Sequence, residues 1–122
     1  MLASVIATFV ALLLADNDVE REDENYFFLY SKTPSGYMFF LDENIAKKST
    51  FKKIDYGYAI FIIKSPKEIE STPGAIAFLL SALASEGINV SHVMGCREDT
   101  FIVINENDAS LAFTVLSKRL RI

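Results

Sequence analysis

The chain has 122 residues, of which 51% are hydrophobic and 23% charged, and this size and apolar content indicate one compact domain or two small modules rather than a disordered chain. One cysteine and one histidine exclude an internal disulfide and leave no His/Cys zinc site within a single chain. The formal net charge of −4 is the wrong sign for binding nucleic acid, which requires phosphate neutralisation.

Residues 2–15 form an uncharged, almost wholly apolar run. It is shorter than the roughly 20 apolar residues that span a membrane, and it lacks the basic start and the cleavage site of a signal peptide. Alanines recur every fourth residue from Ala3 to Ala15, which on a helix forms a stripe of small side chains. We predict a helix buried on most faces, in the fold or in an oligomer interface, with targeting or membrane contact as the alternative.

The next 40 residues contain two charged clusters around a predicted hairpin. Residues 16–24 hold six acids and one arginine, a composition typical of a solvated helix end and loop. The aromatic-rich runs 26–30 and 37–41 are joined through Pro34 and Gly36, which predicts a hairpin. Asp42 is predicted to cap a short helix reaching Ser49. Four lysines then form a basic surface cluster: Lys47, Lys48, Lys52 and Lys53.

Residues 58–63 are apolar at every position, as in a central strand that is covered on both faces. Thr72 is predicted to cap a helix whose first position is Pro73, where a missing N–H costs nothing. Gly87 is predicted to end that helix in the left-handed conformation. The apolar stripe of the helix is Ile76, Leu79, Leu80 and Leu83.

The segment 88–96 alternates like a strand and is predicted to place four side chains on one face: Ile88, Val90, His92 and Met94. A turn at 97–99 leads to a second strand, 100–104. Asp108 is predicted to cap a final helix, whose basic C-terminus suits the helix dipole. The inward-facing residues of this helix are predicted to be Leu111, Ala112, Val115, Leu116 and Leu120.

From residue 58 onward the predicted order is strand, helix, strand, strand, helix. This order indicates an α+β fold, an antiparallel sheet with helices on one face. A right-handed crossover places the strand at 58–63 beside the strand at 100–104. No strand follows the last helix, so one edge of 58–63 is left open. The first half, interpreted as a repeat of helix, hairpin and helix, is predicted to fill that edge with residues 37–41.

Two segments carry a family resemblance: TPGAIAFLLSALASEGINVSHV at 72–93 and DTFIVINENDASLAFTVL at 99–116. Pro73-Gly74 opens a helix, and Gly87-Ile88-Asn89-Val90 opens a strand about a dozen residues later. In order and spacing, residues 58–120 resemble the ACT domain family, most closely the modules of aspartate kinases and of small stand-alone archaeal proteins. The resemblance implies a ferredoxin-like βαββα(β) unit at 54–122 that lacks the usual last strand. Residues 1–53 would be an N-terminal helix and hairpin region that extends the sheet, or a degenerate ACT-like half.

The resemblance also implies a regulatory module that binds a small ligand, usually an amino acid, at an interface between two such domains. Unpaired N–H groups at a helix start suit a ligand carboxylate, and Gly74 permits close approach of the backbone. Asn89 offers both a donor and an acceptor. The candidate ligand-binding residues are therefore Thr72, Pro73, Gly74, Ala75 and Ile76 in the loop, with Asn89, Val90 and Ser91 on the strand.

Other interpretations of the function of this sequence stay open. The main alternative is an oligomerisation or scaffold module without a ligand; an enzyme of another type and a membrane-associated protein are the remaining classes. His92 is interpreted as a packed or edge histidine, Cys96 as a half-buried bystander, and Arg97 as part of an exposed turn. No nucleophile-base set, phosphate loop or metal motif occurs, so we expect neither catalysis, metal nor cofactor. We expect a cytoplasmic homo-oligomer, a dimer or larger, that acts on a partner enzyme and contacts neither nucleic acid nor membrane.

Overall fold

The computed structural model describes residues 4–15, 28–47, 54–64, 74–96 and 99–120. The strands are β1 (Ser4–Ala15), β2 (Phe28–Thr33), β3 (Gly36–Asp42), β4 (Ile54–Lys64), β5 (Val90–Cys96) and β6 (Asp99–Asn105). The helices are α1 (Glu43–Lys47), α2 (Ala75–Ser85) and α3 (Ala109–Leu120), the last preceded by a 3-10 turn at Glu106–Asp108. The strands form one antiparallel sheet in the order β2-β3-β1-β4-β6-β5. By contacts the chain divides into two compact units, Phe9–Tyr58 and Met1–Thr8 with Ala59–Ile122.

The N-terminal run is a strand, and the prediction of a helix over residues 2–15 was wrong. Val10, Ala11 and Leu12 are consecutive and all buried, so both faces of β1 are covered. A segment buried on both faces carries no period-two pattern, and its apolar run is then indistinguishable from that of a buried helix. The first helix of the predicted repeat of helix, hairpin and helix is therefore absent, whereas the hairpin and the short helix that follows it are present.

The hairpin is confirmed as β2 and β3, which pair antiparallel from Phe28↔Leu41 to Thr33↔Gly36. The Thr33 hydroxyl closes the turn by donating to the carbonyl of Gly36 at 3.2 Å. The predicted cap is also confirmed, because a carboxylate oxygen of Asp42 accepts the N–H of Asn44 at 2.9 Å. Lys47 pairs with Glu43 at 3.1 Å across one turn of α1. The acidic run 16–24 and the other three lysines of the basic cluster lie outside the described residues.

Aromatic side chains form the interior of the unit Phe9–Tyr58. Phe39 and Phe40 are fully buried on opposite faces of β3. The ring of Tyr37 stacks on Phe39 at 6.2 Å, and Phe40 meets Tyr58 edge-to-face at 6.4 Å. Burial of each phenylalanine side chain contributes about 1.5–3 kcal/mol to folding.

The second unit has the predicted element order, β4, α2, β5, β6 and α3. Its helices cover one face of the strands. The buried cluster comprises Ala59, Phe61, Ile63, Leu79, Ala82, Leu83, Ile88, Ile102, Ile104, Ala112, Val115, Leu116 and Leu120. Alternate residues of β4 face this cluster, while Ile60 on the opposite face is also fully buried. The interpretation of 58–63 as a central strand is therefore confirmed.

The strand order confirms that β4 neighbours β6, as the right-handed crossover predicts. The remaining edge of β4 is occupied by β1, so the N-terminal half does fill it. The prediction that residues 37–41 would do so was wrong, because β3 pairs with β1 from Val10↔Asp42 to Ala15↔Tyr37. Because residues 4–15 form a strand rather than a helix, they pair with this edge of β4 themselves, and the hairpin pairs with β1 instead.

A β-bulge at Ser91 changes the face on which the side chains of β5 lie. Val90 pairs with Ile104, but the register shifts so that His92 pairs with Val103 and Met94 with Phe101. Directly paired residues share a face, and one extra residue flips all that follow. Val90 accordingly packs against the buried cluster with Ile104, whereas His92 and Met94 lie on the opposite face. The prediction that Ile88, Val90, His92 and Met94 share one face was wrong.

The last helix differs from its prediction along one flank. The side-chain carbonyl oxygen of Asn105 accepts the N–H of Asn107 at 2.9 Å and caps the 3-10 turn, and Asp108 is the residue directly before α3. The other predicted inward residues of α3 are buried, but Leu111 is 44% exposed. A leucine on the flank of an apolar stripe cannot be told from a core leucine by spacing alone.

Candidate functional site

The start of α2 is the first part of the candidate site. Gly74, not Thr72, is the N-cap residue, with φ 79° and ψ 0°, and the helix begins at Ala75. The N–H of Phe78 donates to the carbonyl of Gly74 at 2.8 Å and closes the first turn. A residue in the left-handed conformation cannot continue a right-handed helix, so the predicted helical start at Pro73 was wrong. Thr72 and Pro73 themselves lie outside the described residues.

The backbone at this end of α2 is open to a ligand. Gly74 is exposed, and a Cβ built on it would meet nothing within 4 Å. No side chain caps the helix among the described residues, and its first turn carries no acidic side chain. The first N–H groups of a helix lack intrahelical acceptors and carry partial positive charge. Ala75 and Ile76, both half-buried, thus present backbone donors where no carboxylate of this turn would repel an anion.

The strand residues of the candidate site lie beyond the other end of α2. The helix ends in a Schellman motif: the N–H of Gly87 donates to the carbonyl of Ala84 at 3.0 Å, and that of Ile88 to Leu83 at 3.1 Å. Gly87 has φ 77°, which confirms the predicted left-handed stop. Asn89 follows at once and is exposed. Ser91 is also exposed, at the bulge, while Val90 packs against the core.

The structure therefore does not bring the two halves of the predicted site together within one chain. The 11 residues of α2 rise by about 16 Å, and Gly74 and Asn89 flank opposite ends of that helix. The main-chain groups of one amino acid cannot reach both. Within one chain, each half of the predicted site is a separate surface.

His92 is half-buried on β5, an edge strand, in agreement with its interpretation as an edge histidine. The side chain of Cys96, and all of Arg97, lie outside the described residues. Within the described ranges, no three His, Cys, Asp or Glu side chains are placed to hold a metal ion. No helix in those ranges is long and apolar enough to cross a membrane.

Sequence reasoning missed a groove of about 360 Å³ between α2 and α3 on the outer side of the helix layer. Ala82 and Val115 line it from the two helices, and the exposed Leu111 forms part of its wall. Its polar lining comprises Glu86, Thr114, Lys118 and Arg119. The signal in the sequence was Leu111 itself, which was assigned to the core.

A family model for the ACT domain matches residues 53–118, more than half of the chain. The chain belongs to the ACT domain family. The match includes the strand-helix-strand-strand-helix unit and both halves of the candidate site. No curated protein sequence matches the chain.

Solved structures of similar fold include aspartate kinases and regulatory subunits of aspartate kinase. A structure of aspartokinase alpha and beta subunits has a TM-score of 0.76 at 15% identity, covering 98% of this chain and 94% of that chain. The ligand-free regulatory subunit of aspartate kinase from Thermus thermophilus has a TM-score of 0.69 at 15% identity, with 95% of each chain covered. Aspartate kinase from Clostridium acetobutylicum has a TM-score of 0.66 at 11% identity, covering 95% of this chain and 34% of that chain.

Proposed function

We propose that this chain is a non-catalytic regulatory module that binds an amino acid between two ACT-like units and signals through the geometry of an oligomer. The observation that carries the proposal is the start of α2. There, an exposed glycine and backbone N–H groups without a side-chain cap are suited to accept a ligand carboxylate, in a chain that belongs to the ACT family. Exposed hydroxyl and amide groups near the other end of the helix supply the complementary polar contacts.

The separation of Gly74 from Asn89 determines how the ligand would be held. In the proposed site the backbone N–H groups after Gly74 of one copy donate to the ligand carboxylate, with Ala75 and Ile76 in the first turn. Asn89 and Ser91 of a second copy face the ligand ammonium group and side chain, and Val90 positions them. Thr72 and Pro73 complete the loop in this proposal.

Such a site couples binding to assembly. A ligand that touches two copies binds the assembled state and not the separate chains, so it shifts the assembly equilibrium by its differential affinity. The activity of a partner enzyme that contacts the assembled form then depends on the ligand concentration. We propose a cytoplasmic location for this module.

A regulatory subunit of aspartate kinase is covered over 95% of its length by 95% of this chain, so the structural match extends beyond residues 54–122 into the first half. This supports the proposal that residues 1–53 form a second, degenerate ACT-like half and residues 54–122 the ACT-like domain. The hairpin β2-β3 followed by α1 is the part of the first half that repeats the order β5, β6, α3.

A scaffold module without a ligand is the second candidate. The specific observation in its favour is that one chain does not hold a complete site, because about 16 Å of helix separates the two halves. The difference between the two functions is whether any amino acid binds the folded protein.

The experiment tests each of the twenty amino acids singly, at millimolar concentration, for stabilisation of wild-type protein and three variants. Gly74→Ala places a methyl group where the ligand would approach, and Asn89→Ala removes the side chain at the other half. Gly87→Ala is the matched control, because Gly87 has nearly the same φ and equal open space for a Cβ. We expect Gly74→Ala and Asn89→Ala each to abolish the stabilisation by the responding amino acid, and Gly87→Ala to retain it.

Mixing the two site variants tests whether the site spans two copies. In a mixed dimer the intact Gly74 of one copy meets the intact Asn89 of the other, so random exchange restores about one quarter of the sites. If the wild-type protein binds an amino acid but the mixture of the two variants does not regain binding, a site between two copies is contradicted. Loss of binding in Gly87→Ala as well would contradict a specific role for Gly74.

A further inference from the structure

The layer formed by α2 and α3 has opposite charges at its two ends. Arg119, near the end of α3, lies over the ring of Phe78, near the start of α2, with 5.7 Å from the guanidinium to the ring centre. The two helices therefore run antiparallel. Lys118 and Arg119 make this end basic.

The other end of the layer is acidic. Glu86 follows the last residue of α2, and Glu106 and Asp108 precede the first residue of α3. Glu86 lies eight residues beyond Phe78, or about 12 Å further along the helix. Both helices are otherwise uncharged. Among the described residues, the layer thus presents three acids at one end and two cations at the other.

Between the charged ends the layer exposes apolar surface. Leu111 is 44% exposed and Phe78 is 53% exposed. The groove over Ala82 and Val115 lies between the helices, and Glu86, Lys118 and Arg119 line it as well. Covering these side chains removes apolar area from water, which favours association.

We propose that the α2-α3 face is a docking surface for a second copy of this chain. A twofold axis lying in the plane of the face and perpendicular to the helices places each acidic end against the partner's basic end. An axis parallel to the helices would oppose like charges, which is unfavourable. The charge pattern therefore selects one antiparallel arrangement, in which Leu111 of each copy covers the groove of the other. None of the candidate ligand-binding residues is among the residues named for this surface, and the arrangement places the start of each α2 opposite the end of the partner's α2.

The size of the face sets the strength of the contact. The helices are about 16 Å long and the layer is about 20 Å wide, giving about 320 Å² per copy, less than half of the roughly 800 Å² typical of stable interfaces. We therefore expect a weak, concentration-dependent association step, which high salt weakens because charge pairs at its rim contribute.

A charge-reversal experiment tests the arrangement by sedimentation over a range from about 10 μM to about 500 μM. Variant one carries Glu86→Lys and Glu106→Lys; variant two carries Lys118→Glu and Arg119→Glu. In each variant alone, like charges face each other across the contact. We therefore expect its weight-average mass at high concentration to fall below that of wild type. In an equimolar mixture both contacts of the mixed pair become attractive, and we expect the mass to recover. No fall, or no recovery on mixing, would overturn the proposal.

The apolar contact has a matched control on the same helix. Phe113 is 46% exposed, like Leu111, but lies two residues further on, on a flank that does not line the groove. We expect Leu111→Glu to raise the dissociation constant of this step at least tenfold and Phe113→Glu to leave it within twofold. The reverse result would overturn the proposal. These association measurements contain no amino acid, so a failure here is distinguishable from a failure of the proposed function.

Discussion

Gly87 provides a direct test of the way α2 ends. In Gly87→Ala the left-handed φ of 77° costs about 1–2 kcal/mol, while lower entropy of the unfolded chain returns about 0.4–1 kcal/mol. The added methyl group contacts nothing, because no atom lies within 4 Å of an ideal Cβ. The net loss in the free energy of unfolding is therefore about 1 kcal/mol and is purely a backbone effect.

Urea denaturation measures this loss, and thermal unfolding gives an independent value. At about 2.1 cal/mol/K per residue over 122 residues, a loss of 1 kcal/mol lowers the midpoint by about 4 °C. Gly87→Asn should lose less, because asparagine tolerates the left-handed region better than alanine. An unchanged stability for Gly87→Ala, or an equal loss for both variants, would refute the reasoning.

Three further predictions follow from burial and capping. Phe39→Ala should lower the free energy of unfolding by about 3–5 kcal/mol by urea denaturation, because the side chain is fully buried, whereas Phe9→Ala, 53% exposed, should lose clearly less. Asp42→Ala should cost about 1 kcal/mol in the same assay through loss of its bond to the N–H of Asn44. Asn105→Ala should cost a similar amount, and an Asn105→Asp control that restores an acceptor should recover most of it.

The second half of the fold was predictable because its elements carry local signals. The apolar stripe of α2, its left-handed glycine at 87 and the strand pair that follows all depend on near neighbours in the sequence. The ACT resemblance was read from these same residues, and the family match and the element order confirm it.

The elements that were predicted wrongly share one physical cause: contacts with residues distant in the sequence determine their structure. β1 is apolar on both faces, so only its partner strands distinguish it from a buried helix. The bulge at Ser91 contains no glycine that would predict it from the sequence, and it places His92 on the face opposite the helix layer. Leu111 has core spacing but lies on a flank of α3.

For the candidate site, the sequence predicted the residue types but not their separation. Pro-Gly before a helix and Gly-Ile-Asn before a strand are local features, and the structure places Gly74 and Asn89 at the two ends of α2. That distance follows from helix length alone once the helix bounds are known. The sequence-based site lacked this distance, whereas its placement between two ACT-like domains came from the family resemblance.

Thermal unfolding of the wild-type protein in the presence of each of the twenty amino acids tests the proposed regulatory function most directly. A ligand at 100 times its dissociation constant stabilises the folded state by about 2.7 kcal/mol, which raises the midpoint of a 122-residue chain by about 10 °C. We predict such a shift for one amino acid or one chemical class, and its loss in Asn89→Ala. Twenty unchanged midpoints would contradict amino-acid binding and leave the oligomerisation module in its place.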